Sequence, residues 1–285
     1  MEKAMNDISN RKIPRLIALD LDGTLLDSEK RLSPANRAAL EKAASMGIEI
    51  VPATGRFYGG MPEVIRELPF VRYVITINGA QVFEVSTREN VYSADIPLDE
   101  AIPFYEHLDT LPVIYDCYID GWGRMTAAMQ DRAEEFISDP HTVDMVRRLR
   151  EPVPELKEYL KQNGRPLQKI QLFTRDIPLR DRLIGELAES YPRFAVTSSL
   201  PNNIEVNSRD ADKGKAIRAL AAHLGIDPAD TAAFGDGRND VTMLEAAGVG
   251  IAMENACAEA KAAADMITAS CDDDGVAKVI EEMLG

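Results

Sequence analysis

Short apolar runs in this sequence stop repeatedly at acidic or hydrogen-bonding residues. Residues 16–19 (Leu-Ile-Ala-Leu) stop at Asp20, with Asp22 two places on, and residues 48–51 lead to Thr54, Gly55 and Arg56. Residues 71–77 lead to Asn78, residues 231–234 lead to Gly235 and Asp236 with Asn239 and Asp240 close behind, and Lys213 opens a helical stretch. These residue types suit phosphoryl transfer. Asp20 and Asp236 offer the hard oxygen ligands that magnesium takes, leaving other octahedral positions to water and a substrate phosphate. A carboxylate that attacks a phosphate dianion meets repulsion, which the metal and Lys213 would neutralise. Thr54 and the Gly55 backbone can donate hydrogen bonds to phosphate oxygens without adding bulk. Asp20 is then placed to form a covalent intermediate. If the backbone carbonyl of Asp22 faces the metal, its side chain is free to protonate the leaving oxygen and later to deprotonate water.

Such residues act together only if strand ends meet. The run at 16–19 is apolar throughout, as expected of a strand buried on both faces of a parallel sheet. Ser33-Pro34 opens a helix, with serine as N-cap and proline at the first position, and Gly47 closes it. Strands are expected at 48–51 and 71–77. After a middle stretch the rhythm returns: helix 213–224, strand 231–234, helix 241–247, strand 249–252, helix 257–264, strand 266–268 and helix 276–284. Alternation with short connections predicts an α/β fold with a parallel sheet covered on both faces. In such a sheet, ligands bind outside the carboxyl ends of the strands, where the residues named above would converge.

Residues 86–200 read differently. Nine prolines fall there, residues 113–118 alternate loosely like an antiparallel strand, and Gly121-Trp122-Gly123 has the look of a hairpin turn. Another strand is expected at 169–173 and a helix at 179–190. The expectation is a Rossmann-like hydrolase core over residues 1–85 and 201–285, with an inserted α+β cap over 86–200 and a loose tail at 1–13.

Asp20-Leu21-Asp22-Gly23-Thr24 resembles the first signature of the haloacid dehalogenase superfamily. Ala53-Thr54-Gly55-Arg56 is similar to its second motif, Lys213-Gly214 to its third, and Gly235-Asp236-Gly237-Arg238-Asn239-Asp240 to its fourth. Their order, and the insertion between the second and third, resemble the Cof-type branch (subfamily IIB), as do Val249-Gly250-Ile251-Ala252-Met253 and Asp274-Gly275-Val276. Four motifs in order are specific; any one alone is not. The resemblance implies a magnesium-dependent phosphatase acting on sugar phosphates and related small metabolites. It implies metal ligation by the Asp20 side chain, the Asp22 carbonyl and Asp236, and phosphate contacts from Thr54, Gly55, Lys213 and Asn239. It gives Asp240 a supporting part near Lys213 or the metal.

Plainer readings stand beside these. Lys213 competes with Lys215; Asp240 could simply favour the start of the next helix; Arg56 could order its loop or contact the cap. Asn78-Gly79 could be a tight turn only, and Asp272-Asp273-Asp274 reads as a solvated helix start. Trp122 could reach a substrate or pack. A phosphomutase of the same superfamily and a non-catalytic regulatory protein on the same fold remain alternatives; a dinucleotide-binding oxidoreductase would need a Gly-x-Gly-x-x-Gly after the first strand, which is absent.

Composition narrows the partners. A net charge of -15 repels nucleic acid and anionic membrane surfaces, so neither is expected as a partner. Three widely spaced cysteines argue against a disulfide framework or a zinc site and for a reducing, cytoplasmic setting. No apolar run approaches membrane-spanning length. Oligomeric state is left open.

Overall fold

The structure, a computed structural model, describes residues 12–285, and the loose tail expected at 1–13 falls outside them but for Lys12 and Ile13. In chain order the strands are β1 (Leu16–Leu19), β2 (Glu49–Pro52), β3 (Tyr73–Thr76), β4 (Gln81–Glu84), β5 (Asn90–Ser93), β6 (Ile114–Ile119) and β7 (Trp122–Thr126). They continue with β8 (Arg150–Val153), β9 (Lys169–Phe173), β10 (Phe194–Thr197), β11 (Asn203–Ser208), β12 (Thr231–Gly235), β13 (Val249–Ala252) and β14 (Met266–Ile267). The described residues divide into two compact units: residues 12–56, 61–93 and 212–285, and residues 57–60 and 94–211.

In the first unit five strands form a parallel sheet in the order β14-β13-β12-β1-β2. All four residues of β1 are buried, which is why its sequence does not alternate. Because Leu19 pairs with Phe234 on one side and Pro52 on the other, Asp20, Asp236 and Thr54 leave the sheet at the same edge. β3 continues beside β2 through a parallel bridge between Ala53 and Ile75, then turns back as the antiparallel strands β4 and β5. The sequence reading had no strands at 81–84 or 90–93.

The helix Pro34–Ser45 is capped by Ser33, whose hydroxyl accepts from Asn36 N at 3.0 Å. Asn36 itself is buried, with both ends of its amide bonded: Nδ2 donates to Leu25 O at 3.2 Å, and Oδ1 accepts from Ala277 N at 2.9 Å. It ties this helix to the start of the last helix, Gly275–Leu284.

The second unit holds a six-stranded sheet, β10-β11-β9-β6-β7-β8, antiparallel except between β7 and β8. Asp120 and Gly121, both at positive φ, make the two-residue turn between β6 and β7, so Trp122 begins a strand and is not part of the turn. One face of the sheet is apolar: Tyr115, Cys117, Ile119, Ile170, Leu172, Ile204 and Val206 pack with helix residues such as Phe104, Leu160 and Leu183. Residues alternating with these, Asp116, Tyr118, Lys169, Gln171 and Glu205, take the other face yet are also buried. They survive there in pairs: Arg150 Nε donates to Asp116 at 2.7 Å, Tyr118 Oη to Gln171 at 2.8 Å, and Lys169 Nζ to Glu205 at 2.7 Å. β11 lies in this sheet, so the second unit runs to Ala211 where the sequence reading ended it at 200; β11 pairs with β9 and β10 and with nothing in the parallel sheet.

Candidate active site

At the carboxyl edge of the parallel sheet, β1 delivers Asp20, β12 delivers Asp236, and the helix Lys213–His223 delivers Lys213 from its first turn. Lys213 is fully buried, and its ammonium donates to Asp20 Oδ1 at 2.7 Å and to Asp240 Oδ1 at 2.6 Å. A cation at a helix N-terminus opposes the macrodipole, and burial opposes its charge further. The two carboxylates outweigh both, and the net shift of Lys213 is upward. Lys215, the competing lysine, is exposed.

Asp240 is buried with its acceptors used: Oδ1 faces Lys213, while Oδ2 accepts from the backbone N of Asp236 at 3.0 Å and of Gly237 at 2.8 Å. It braces the loop that presents Asp236, and it makes no side-chain cap on the following helix, Val241–Ala246. Asp236 Oδ1 accepts from Thr24 Oγ1 at 2.9 Å. Thr24 is a residue to which the sequence reading gave no role, although it ends the first motif.

Oxygen atoms of Asp20, Asp236 and Asp240 lie within 4.8 Å of one another, a cluster that could hold a metal ion. The donor set fits a hard divalent cation: every ligand is a carboxylate oxygen, and a single lysine stands against three carboxylates. Burial leaves that excess of negative charge poorly screened. It pushes the Asp20 carboxyl up from 3.8 to about 7; Lys213 pulls it down, but Asp240 and Asp236 push the same way as burial. Asp236 is also raised, chiefly by burial.

Asp22 does not join this cluster through its carboxylate. Arg56 grips it with two bonds, Nε to Oδ2 at 2.7 Å and Nη2 to Oδ1 at 2.8 Å, and Lys30 Nζ lies 3.0 Å from Oδ1. Burial would raise Asp22, but the bonds and charges of Arg56 and Lys30 win and hold it below the ordinary carboxylate value. Arg56 therefore has a partner in the first unit, and Lys30 is a second cation that sequence reasoning missed; no local spacing pairs it with Asp22. Thr54 is buried, and its hydroxyl accepts from Arg56 N at 3.1 Å. Asn239, on an exposed turn, donates from Nδ2 to Asn78 Oδ1 at 3.0 Å. Asp272 accepts from Ser28 N at 2.8 Å and is outside the metal-capable cluster.

A five-stranded parallel sheet thus carries clustered carboxylates and a buried lysine at its carboxyl edge, where open α/β sheets bind their ligands. Residues 17–280 match the family of haloacid dehalogenase-like hydrolases, and the chain belongs to that family. It is similar to phosphatase YwpJ of Bacillus subtilis (31% identical over 294 residues, 95% of this chain and 100% of that one). A second relative is the 5-amino-6-(5-phospho-D-ribitylamino)uracil phosphatase YcsE of Bacillus subtilis (29% identical over 268 residues, 93% and 94% of the two chains). Among solved structures it is similar to the subclass IIB sugar phosphatase BT4131, with a TM-score of 0.73, 25% identity, and 94% and 98% of the two chains covered. The chain is an enzyme of the phosphatase class. Among the described residues, no helix is long and apolar enough to cross a membrane.

Proposed function

We propose that this enzyme hydrolyses small phosphate monoesters with the help of magnesium and through an aspartyl-phosphate on Asp20. The observation that carries the reading is the unequal cluster: three carboxylates lie within 4.8 Å of one another around one buried lysine, an excess of negative charge that a metal cation would neutralise. Asp20 and Asp236 would hold the ion, with the Asp22 carbonyl as the expected third protein ligand. When bound, magnesium supplies positive charge against the phosphate dianion.

Lys213 fixes Asp20 through Oδ1, which orients the carboxylate for attack on phosphorus. As the new oxygen–phosphorus bond forms, the bond from phosphorus to the ester oxygen breaks, and that oxygen takes a proton from Asp22. Asp22 is ionised in the grip of Arg56 and Lys30, so it must leave that grip and take up a proton from solvent before it can give one to the leaving oxygen. Water then attacks phosphorus, Asp22 takes its proton, phosphate departs, and the Asp20 carboxylate is restored. Thr54, Gly55 and Asn239 are assigned to the phosphate oxygens.

Substrates are assigned to sugar phosphates and related polyol phosphates. A sugar phosphatase and a ribitylaminouracil-phosphate phosphatase among the similar proteins support this, because both names describe a phosphoryl group on a polyhydroxylated carbon chain. The second unit is assigned substrate choice. Three free thiols agree with a cytoplasmic setting.

The test is phosphate release from an aryl phosphate, with and without Mg²⁺, by wild type and Asp20→Asn. Metal-dependent release should fall by roughly 10⁴-fold or more in the variant. Equal release from a folded, contaminant-free variant would remove Asp20 from the mechanism.

A further inference from the structure

Ile77, Asn78 and Gly79 follow one another at φ of 53°, 56° and 89°. A β-branched residue in the left-handed region is an outlier, and Ile77 there costs backbone energy that the surroundings must repay. The surroundings here are the loops assigned to phosphate. Ile77 N donates to Arg56 O and Asn78 N to Thr54 O, each at 3.0 Å, so the turn is bonded to both ends of the Thr54-Gly55-Arg56 loop. Gly79 packs directly on the backbone of Asp212 and Lys213; a side chain there would collide with both. The Asn78 side chain spans the gap to the fourth motif. Its Oδ1 accepts from Asn239 at 3.0 Å and lies so close over Gly55 that a methyl group on Gly55 would sit 2.8 Å from it.

We infer that Asn78 is a positioning residue that holds the Asn239 amide beside Gly55, so that both groups meet the same phosphate. This rests on the assignment of Gly55 and Asn239 to phosphate, which it deepens. Asn239 stands on an exposed turn, and its bond to Asn78 holds its amide. One N–H bonded to Asn78 leaves the second N–H of the same nitrogen in a fixed direction, available to a phosphate oxygen. The left-handed conformation is what aims the Asn78 side chain at Asn239, and asparagine is among the few residues other than glycine that accept it readily. The strain is therefore located where one short turn registers the second, third and fourth motifs against one another.

Asn78→Gly tests this cleanly, because glycine keeps the left-handed backbone and removes only the amide. Two readouts are taken in the presence of Mg²⁺: KM and kcat for phosphate release, and binding of inorganic phosphate by calorimetry. With unchanged melting temperature, the variant should bind phosphate about fivefold to tenfold more weakly and show KM raised by a like factor, as loss of one oriented hydrogen bond implies. In an Asn239→Ala background the same substitution should have no further effect. Full additivity of the two changes, or wild-type phosphate binding by Asn78→Gly, would overturn the inference. Failure of the catalytic reading would show elsewhere, as release that survives Asp20→Asn, while the phosphate-binding cycle stands without turnover.

Discussion

Lys213, in the first turn of a helix, and Arg150, on the strand β8, are both cations sealed from water, and the difference between them is the number of carboxylates each must serve. In the second unit Arg150 answers Asp116 and Lys169 answers Glu205, one cation to one carboxylate. In the first unit Lys213 answers Asp20 and Asp240 while Asp236 stands close by. Balanced buried pairs are explained by the sheet they sit in: a polar face that is covered must be paired. An unbalanced cluster is not explained by folding, since a second lysine or a neutral side chain would be more stable. Its surplus charge points to a ligand, and this is what separates a structural ion pair from a site.

Removing each cation should break the comparison most visibly. Lys213→Met and Arg150→Met each leave a buried carboxylate without its partner, and each should lower stability by about 3–5 kcal/mol in metal-free buffer. Mg²⁺ should restore most of the loss in Lys213→Met, because the ion takes over the neutralising charge, and none of it in Arg150→Met. Thermal melts with and without Mg²⁺ check both; equal behaviour of the two variants would erase the distinction.

The pH dependence sharpens the same contrast. In the folded, metal-free protein Asp20 titrates at about 7, against an ordinary 3.8. The fold thus favours the protonated form, and this contribution to stability is present below 3.8 and is lost as pH rises through about 7. Asp22 has the opposite sign: held down by Arg56 and Lys30, it stabilises above its ordinary value of 3.8 and loses that contribution as pH falls through its lowered folded value. Metal-free Asp20→Asn should therefore melt above wild type at neutral pH and lose that advantage in acid. A metal entering the site must also expel the Asp20 proton, so proton release on Mg²⁺ binding should shrink as pH rises above 7. Calorimetry in buffers of different ionisation enthalpy measures it. The smallest effect belongs to a residue outside both clusters: Ser33→Ala removes a helix cap, costing about 1 kcal/mol in melts without changing KM.

The convergence of much of the candidate site could be read before the fold was known, for a physical reason. Asp20, Thr54 and Asp236 each follow a short apolar run, and a parallel sheet brings the ends of such runs to one edge. What escaped was set by long-range pairing. No strand was read at residues 203–208, and only the pairing of β11 with β9 assigns them to the second unit. The hold of Arg56 and Lys30 on Asp22, and the tie between Asn78 and Asn239, join residues with no characteristic spacing. Thr24 stood inside a motif, but its bond to Asp236 spans most of the chain.

The most direct measurement is to quench the wild-type enzyme with acid during turnover of a phosphate ester and to locate the phosphoryl group by peptide mass spectrometry. The account predicts a phosphorylated peptide spanning Asp20, modified at that residue and released by hydroxylamine as an acyl phosphate must be. A phosphoryl group on Asp22 or Asp236, or none at all under conditions where turnover is limited by the second step, would contradict it.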